Sequence, residues 1–512
     1  MFNPSENTAI LLILLVAIGI VGWSYNRAKE YGKPGILAWL QSLFLMAPWL
    51  VFFACFALGI YLNIALILLL LVTSTAGYII IGNRLRAEGL DALLRQRTAE
   101  KIKERQESTN LEKAEVSETQ SDRTTETFLA DKSNLTPEIL PIEEEDLKII
   151  KNIFGVDTFF ATETISYQEG AIFRGNLRGE PEIAYSKLSQ NLKKALGDKY
   201  RLFLVESPEG KPVVIVLPSS NDPQPLTLAQ KNLALVLLVT TIATTLETAG
   251  LLLNFDLFNN LGRYQEAIPL SLGLWVVLAA HEIGHRWQAQ NYDLRLSIPF
   301  LIPSFQIGSF GAITKFESVI PKRQALFDVA LAGPALGGIV SLFMLVAGLI
   351  LSHPGSQFEV PTKFFQSSIL VGSLAKVVLG SQMTNTLVDL NLLTIIGWLG
   401  LVITALNLLP AGQLDGGRIV QAIYGRKTAR RTTIASLAVL GIVCIINPAN
   451  PIPLYWALLI LFVQRDLERP CLNELTEPDD TRAAWGLLAL FLMLATLIPL
   501  SPSLAGQLGI GG

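Results

Sequence analysis

Hydrophobic positions in this chain come in long runs, and two stretches of very different character interrupt them. A helix that crosses a bilayer needs about 20 mostly apolar residues. Thr8 to Trp23 is the first candidate, and Gly35 to Gly82 carries no charged residue at all. The second run is too long for one crossing and predicts a helical hairpin turning near Gly59. The second half of the chain offers further candidates at Asn232–Leu253, Ala267–Ala289, Ala325–Leu351, Leu392–Leu409, Thr432–Ile446, Ile452–Val463 and Ala483–Leu500. The total is about ten spans. Phe364 to Gly380 has Lys376 as its only charge, and its weak amphipathicity suits a helix lying along the interface.

The interruptions predict other structures. Residues 84–141 are rich in Lys, Glu, Gln, Ser and Thr and poor in aromatics, the composition of a solvated tether. Residues 142–222 alternate between helix and strand patterns. Helices are expected at Glu145–Phe154 and Pro181–Leu196, and strands at Thr158–Ser166, Ala171–Leu177, Arg201–Glu206 and Pro212–Leu217. Between Leu294 and Lys322 the chain is semi-apolar but broken by Pro299, Pro303, Gly308 and Gly311. The alternation from Gln306 to Lys315 fits strands or a re-entrant hairpin, which is tolerated at membrane depth only where it lines a cavity.

The expected architecture is a polytopic α-helical membrane protein of about ten spans. It carries a small soluble α+β domain and a short re-entrant or β-hairpin segment near the candidate site. The division is 1–83, an N-terminal anchor of two or three spans; 84–141, the charged linker; 142–222, the α+β domain; 229–465, the membrane core; and 466–512, a tail with one span.

Composition agrees. The 512 residues are 51% hydrophobic and 16% charged, with mean hydropathy +0.44, against about 25% charged in an average soluble domain. A net charge of −3 gives no reason to expect nucleic acid as a partner. Cys55, Cys444 and Cys471 show neither metal spacing nor a disulfide framework. The Lys and Arg clusters at 27–33, 84–97, 286–295, 322–323 and 418–431 fall on one side when the spans are threaded in order, which makes that side cytoplasmic or its equivalent.

Chemistry concentrates at the end of one span. His281-Glu282-Ile283-Gly284-His285 puts two of the chain's three histidines one helical turn apart. Two such imidazoles hold one Zn²⁺, with Glu282 placed as general base toward water. Catalytic zinc usually takes a third protein ligand. His353 falls on the opposite side of the threaded topology. Asp415, in Asn407-Leu-Leu-Pro-Ala-Gly-Gln-Leu-Asp-Gly-Gly-Arg418, ends another span on the matching side and is the favoured third ligand. Glu247 is the rival. A carboxylate at membrane depth is costly unless paired or metal-bound. A divalent-metal transporter is the alternative reading, but such a path spreads polar groups through the membrane, and here they gather at one face.

His281–His285 together with Asn407-Leu-Leu-Pro410 and Leu414-Asp-Gly416 resembles the site-2 protease family of intramembrane zinc metalloproteases. Ala332-Gly-Pro334 is similar to a further family feature, and the resemblance covers roughly Leu233 to Val463. The text from Pro303 to Arg323 is similar to the branch of cyanobacteria and chloroplasts, the ethylene-dependent gravitropism-deficient and yellow-green proteins. No PDZ insertion is evident. The resemblance implies one Zn²⁺ on His281, His285 and Asp415, with Glu282 catalytic. Asn407 would contact the substrate carbonyl or oxyanion, and the Gly308–Thr314 segment, with Gly308 and Gly311, would receive an unwound substrate. Substrates would be single-span or other membrane proteins, cut in regulated intramembrane proteolysis. The absence of a transit-like start favours a cyanobacterial plasma or thylakoid membrane over a plastid one. The oligomeric state is left open.

Overall fold

The computed structural model describes residues 142–511 apart from 168, 208, 448, 449 and 465. Of the first 141 it describes 19, 21–29, 32–57, 69–70, 73–74, 76–82 and 84–85. Most of the first expected span, the turn expected near Gly59 and all but the start of the charged linker lie outside the described residues. The chain forms two compact units, Met1–Ile139 with Thr227–Val236, and Leu140–Leu226 with Leu237–Gly512. In the first, helix α1 (Gly32–Ala57) is anchored by the Trp39 indole, which donates to the Val21 carbonyl at 3.0 Å. Asn232 donates to Ser24 within the same unit at 2.6 Å.

The second unit begins with helix α2 (Glu144–Asn152), strands β1 (Phe159–Tyr167) and β2 (Gly170–Leu177), helix α3 (Pro181–Leu196) and strands β3 (Tyr200–Glu206) and β4 (Pro212–Pro218). The antiparallel sheet has the order β1-β2-β4-β3. Strand periodicity sends Leu202, Leu204, Val214 and Val216 to one face, where they are buried with Ile150, Leu188 and Leu192 of the two helices. Pro181 opens α3, where its missing N–H costs nothing. A fifth segment joins the sheet edge. The Leu204 N–H donates to the Leu472 carbonyl at 2.8 Å, and the Glu474 N–H donates to the Leu204 carbonyl at 2.9 Å. The other side of that segment pairs with the core, since the Leu472 and Asn473 N–H groups donate to the carbonyls of Ile320 and Pro321 at 2.9 and 3.0 Å.

Among the described residues, five helices are long and apolar enough to cross a membrane. They are α4 (Leu228–Leu252), α5 (Tyr264–Gln290, preceded by a short 3₁₀ turn), α6 (Arg323–Leu351), and two that follow in the chain: α9 (Asp415–Ile446) and α11 (Asp480–Leu497). Between them come the hairpin β5 (Phe300–Ser304) and β6 (Gly308–Ile313), the small pair β7 (Phe358–Pro361) and β8 (Leu387–Leu390), and helices α7 (Ile369–Leu379), α8 (Leu392–Asn407) and α10 (Ile452–Leu459). Helix α12 (Pro502–Leu508) closes the chain. Ile339, Phe343 and Ile350 of α6 are 64–71% exposed. Three large apolar side chains on one helical stripe would be costly in water and suit lipid.

Helix α8 covers most of the expected span Leu392–Leu409. Its 16 residues reach only about 24 Å, and most of its side chains are buried inside the bundle. A Cβ on Gly397 would lie 2.2 Å from the Leu345 nitrogen, so glycine there lets α8 cross α6 at backbone contact. The span expected at Thr432–Ile446 begins earlier, at Asp415, and breaks at Gly425 (φ +79°). Asp415 therefore opens a helix rather than ending one. Arg418, counted among the loop charges, is buried in that helix.

Within the α+β module, Asp146 accepts from Lys199 at 2.5 Å and from the Tyr200 hydroxyl at 2.8 Å. The Lys199 ammonium holds the Asp146 carboxyl below its ordinary value of 3.8. A carboxylate with a depressed folded pKa contributes stability above the unfolded pKa and loses it as pH falls through the folded one. Protection of β3 amides from hydrogen exchange in the full chain is therefore expected to fall as pH drops below about 4. In Asp146→Asn this acid-dependent loss is expected to be smaller.

Candidate active site

Helix α5 carries His281 and His285 one turn apart, both buried. Their Nε2 atoms lie 3.1 Å from each other. Asp415 reaches them from the first turn of α9, its Oδ2 at 3.1 Å from His281 Nε2 and 3.4 Å from His285 Nε2. The turn that delivers it depends on glycine. A Cβ on Gly416 would stand 1.8 Å from the Leu408 carbonyl oxygen. The start of α9 thus sits directly on the end of α8, and the positive end of the helix dipole favours the carboxylate there.

The three groups form the cluster able to hold a metal among the described residues. Their separations fit zinc. A tetrahedron with metal–ligand bonds of about 2.0–2.1 Å has edges of about 3.3 Å. His285 Nδ1 donates to the Val329 carbonyl at 2.8 Å, which leaves Nε2 as a bare lone pair. One proton on His281 can serve only part of this cluster, whereas a cation serves all three groups at once. Two imidazole nitrogens and one carboxylate oxygen are a donor set suited to zinc.

The helix carrying the histidines meets α6 through two glycines. A Cβ on Gly284 would lie 2.3 Å from the Ala332 carbonyl oxygen, and one on Gly333 would lie 2.2 Å from His285 Nε2. The His285 ring occupies the space that a side chain at 333 would take.

Glu282 is buried, and the Thr314 hydroxyl donates to its carboxylate at 2.9 Å. Thr314 follows β6, so the hairpin fixes the glutamate. Arg418 ties these pieces together. Its guanidinium donates to the Thr314 carbonyl at 2.9 Å, pairs with Glu468 at 2.9 Å and lies 3.8 Å from Asp415. The guanidinium also lies over the Phe316 ring, 5.0 Å from its centroid. Sequence reasoning named Thr314 only as the end of the Gly308–Thr314 segment, did not single out Glu468, and counted Arg418 among the basic residues on one side of the membrane. The signal within reach was Arg418, three residues after Asp415 on one helix.

The remaining candidates fall as follows. Glu247 stands apart from the cluster and accepts from the Leu257 N–H at 3.2 Å. His353 is exposed, in the segment after α6. The Asn407 amide donates to the carbonyls of Phe310 at 3.1 Å and Ile403 at 2.9 Å, so it holds β6 against α8. Gly311 (φ +103°) lies against that amide, where a Cβ would be 2.3 Å from Nδ2. Gly308 (φ +82°) turns the hairpin, and its carbonyl accepts from Thr244 at 2.7 Å.

Gly333→Ala is expected to displace the His285 ring and cut zinc retention about 10–100-fold, measured as metal content of the purified chain after dialysis. Arg418→Lys loses the planar fork that spans Thr314 and Glu468. It is expected to retain zinc and lower kcat by about 10–100-fold, with KM little changed.

The chain matches two family descriptions, "EGY3 middle domain" over residues 148–225 and "Peptidase family M50" over residues 269–446. It is 39% identical over 370 residues to the probable zinc metalloprotease EGY2, chloroplastic, of Arabidopsis thaliana, an alignment covering 70% of this chain and 65% of that one. To the probable zinc metalloprotease EGY1, chloroplastic, of Oryza sativa subsp. japonica it is 35% identical over 409 residues, covering 72% and 70%. To the probable zinc metallopeptidase EGY3, chloroplastic, of Arabidopsis thaliana it is 31% identical over 378 residues, covering 69% and 65%. The chain thus spans roughly two thirds of the length of these relatives. No solved structure matches it. With a zinc-compatible His–His–Asp cluster inside the matched region, the chain belongs to peptidase family M50, among the EGY zinc metalloproteases.

Proposed function

We propose that the chain is an intramembrane zinc endopeptidase that hydrolyses peptide bonds in or near transmembrane segments of other membrane proteins. The observation that carries this reading is the buried His281–His285–Asp415 cluster on helices whose outer faces are apolar, with a held carboxylate, Glu282, beside His281. His281, His285 and Asp415 would hold a Zn²⁺, which when bound would supply Lewis-acid activation of water and of the scissile carbonyl. Glu282 takes the proton from the attacking water and passes it to the leaving amine. Thr314 keeps that carboxylate aimed, and Arg418 fixes Thr314 and neutralises charge beside Asp415. The substrate enters extended, because helical carbonyls are engaged, and pairs with the hairpin strand β6. Asn407 then contacts the substrate carbonyl by releasing the Phe310 carbonyl it holds here.

In this reading the hairpin is re-entrant, the shorter apolar helices complete about ten spans, and the active site lies near the cytoplasmic or stromal face of a cyanobacterial or plastid membrane. The substrates are single-span or other membrane proteins in regulated proteolysis, with no nucleic acid involved. Polar groups gathered in one layer weigh against the metal-transporter alternative.

Glu282→Gln is expected to bind zinc at the native level and to lose cleavage by at least about 1,000-fold. The assay is conversion of a single-span substrate in reconstituted liposomes with parallel metal analysis. Undiminished cleavage would exclude Glu282 as the base, and zinc flux without any peptide hydrolysis would favour transport.

A further inference from the structure

The sheet of the α+β module covers only one of its faces with its own helices. On the other face Phe203, Ile215 and Leu217 stay half-buried and line a cleft of about 350 Å³. The facing wall is the outward continuation of the β5–β6 hairpin, including Phe316 and Val319. That volume lies in the ~300–1,000 Å³ range of ligand-holding sites. The cleft does not close up, because the Leu472–Glu474 segment is hydrogen-bonded on both sides and spaces the sheet from the core.

The charges around it are unequal. Asp222 and Glu468 line the cleft, but each is already held by a guanidinium, Arg201 at 3.0 Å and Arg418 at 2.9 Å. Lys315 and Arg469 line it as well. The Lys315 ammonium lies over the Phe300 ring at 5.7 Å, and the Arg469 guanidinium donates to the Asn221 carbonyl at 2.9 Å. Neither has a carboxylate side chain in ion-pair range among the described residues. The cleft therefore offers two cations without a directly paired carboxylate above an apolar floor. Its complement is an extended peptide with acidic side chains set between apolar ones.

Covalent continuity says whose peptide it is. Lys315 follows Thr314, whose hydroxyl holds Glu282. Gln413, also in the wall, comes two residues before Asp415. Glu468 belongs at once to the cleft and to the Arg418 bridge. A chain leaving the Glu282 site along the hairpin runs into this cleft. We infer that the cleft is a second peptide-binding site, which takes the acidic, extended stretch flanking the cleaved segment of the substrate. The inference rests on the protease reading of the adjoining site.

The test uses the full chain bearing Glu282→Gln, purified in nanodiscs, so that binding is read without turnover. Two short fluorescent peptides are compared, one alternating Asp or Glu with Leu and Val, the other with Lys in place of the acids. The acidic peptide is expected to bind about tenfold or more tightly than the basic one. Adding Lys315→Glu together with Arg469→Glu should reverse that preference, and a misfolded chain could not gain binding of the basic peptide. Ile215→Ser should weaken both peptides without changing their order. Equal binding of the two peptides, or a preference unmoved by the charge reversal, overturns the inference. So does displacement of the acidic peptide by phosphatidylglycerol vesicles but not by excess unlabelled peptide, which would make the site one for lipid headgroups. Cleavage by the native chain is measured in parallel. Hydrolysis without charge-selective binding refutes this site, and charge-selective binding without hydrolysis refutes the protease reading.

Discussion

A carboxylate buried among apolar helices is the constraint from which the rest of the site follows. Asp415 is almost entirely withdrawn from solvent and faces two imidazoles. An isolated charge in such a place costs several kcal/mol. The structure meets that cost from every side. The two histidines present nitrogen atoms, the amino-terminal end of α9 presents its dipole, and Arg418 brings a full positive charge within 3.8 Å. Bringing these groups together requires backbones to touch. Glycines at 284, 333 and 416 stand at such contacts, and a methyl group at any of them would meet an atom within 2.3 Å. The site is thus specified as much by absent side chains as by its ligands.

The cluster of candidate ligands was legible in the sequence because helical spacing alone aligns His281 with His285, and because few other polar groups stood near the ends of apolar runs. The α+β module was legible for a similar local reason. Its strands are short runs rich in β-branched and aromatic residues, and Pro181 marks the start of α3 by backbone chemistry. What escaped was nonlocal. Glu468 follows α10 in sequence and gains meaning only by pairing with Arg418, 50 residues away. Thr314 is one of many threonines until the hairpin folds it onto Glu282. Length decides less at α8, whose 16 apolar residues fall short of the about 20 of a full crossing, because a buried helix in a bundle and a short transmembrane helix share that composition.

The hairpin shows how irregular backbone survives next to such helices. An unpaired carbonyl away from water must find a donor. Along β6 and its extension the carbonyls of Gly308, Phe310 and Thr314 accept from Thr244, Asn407 and Arg418 in turn. Side chains from three different helices act as the missing neighbouring strand. Asn407 is therefore structural in this state and exchangeable in principle, since a real strand laid along β6 would supply main-chain donors in place of its amide.

The module and the core are joined on the same principle. Leu472–Glu474 donates to Ile320 and Pro321 on one side and pairs with Leu204 on the other. It is a single segment shared between two structures, and its buried Asn473 side chain bonds Thr476 and the Leu475 N–H to hold it in shape. Main-chain bonds of this kind fix position in the strand direction and leave the flanking side chains free. The sheet is held beside the hairpin while the apolar face of β3 and β4 remains unfilled. A packed interface would have buried Phe203, Ile215 and Leu217 and gained the stability of that burial. Leaving them only partly buried forgoes some of it, and a surface left in that state next to Lys315 is best accounted for by a peptide that covers it.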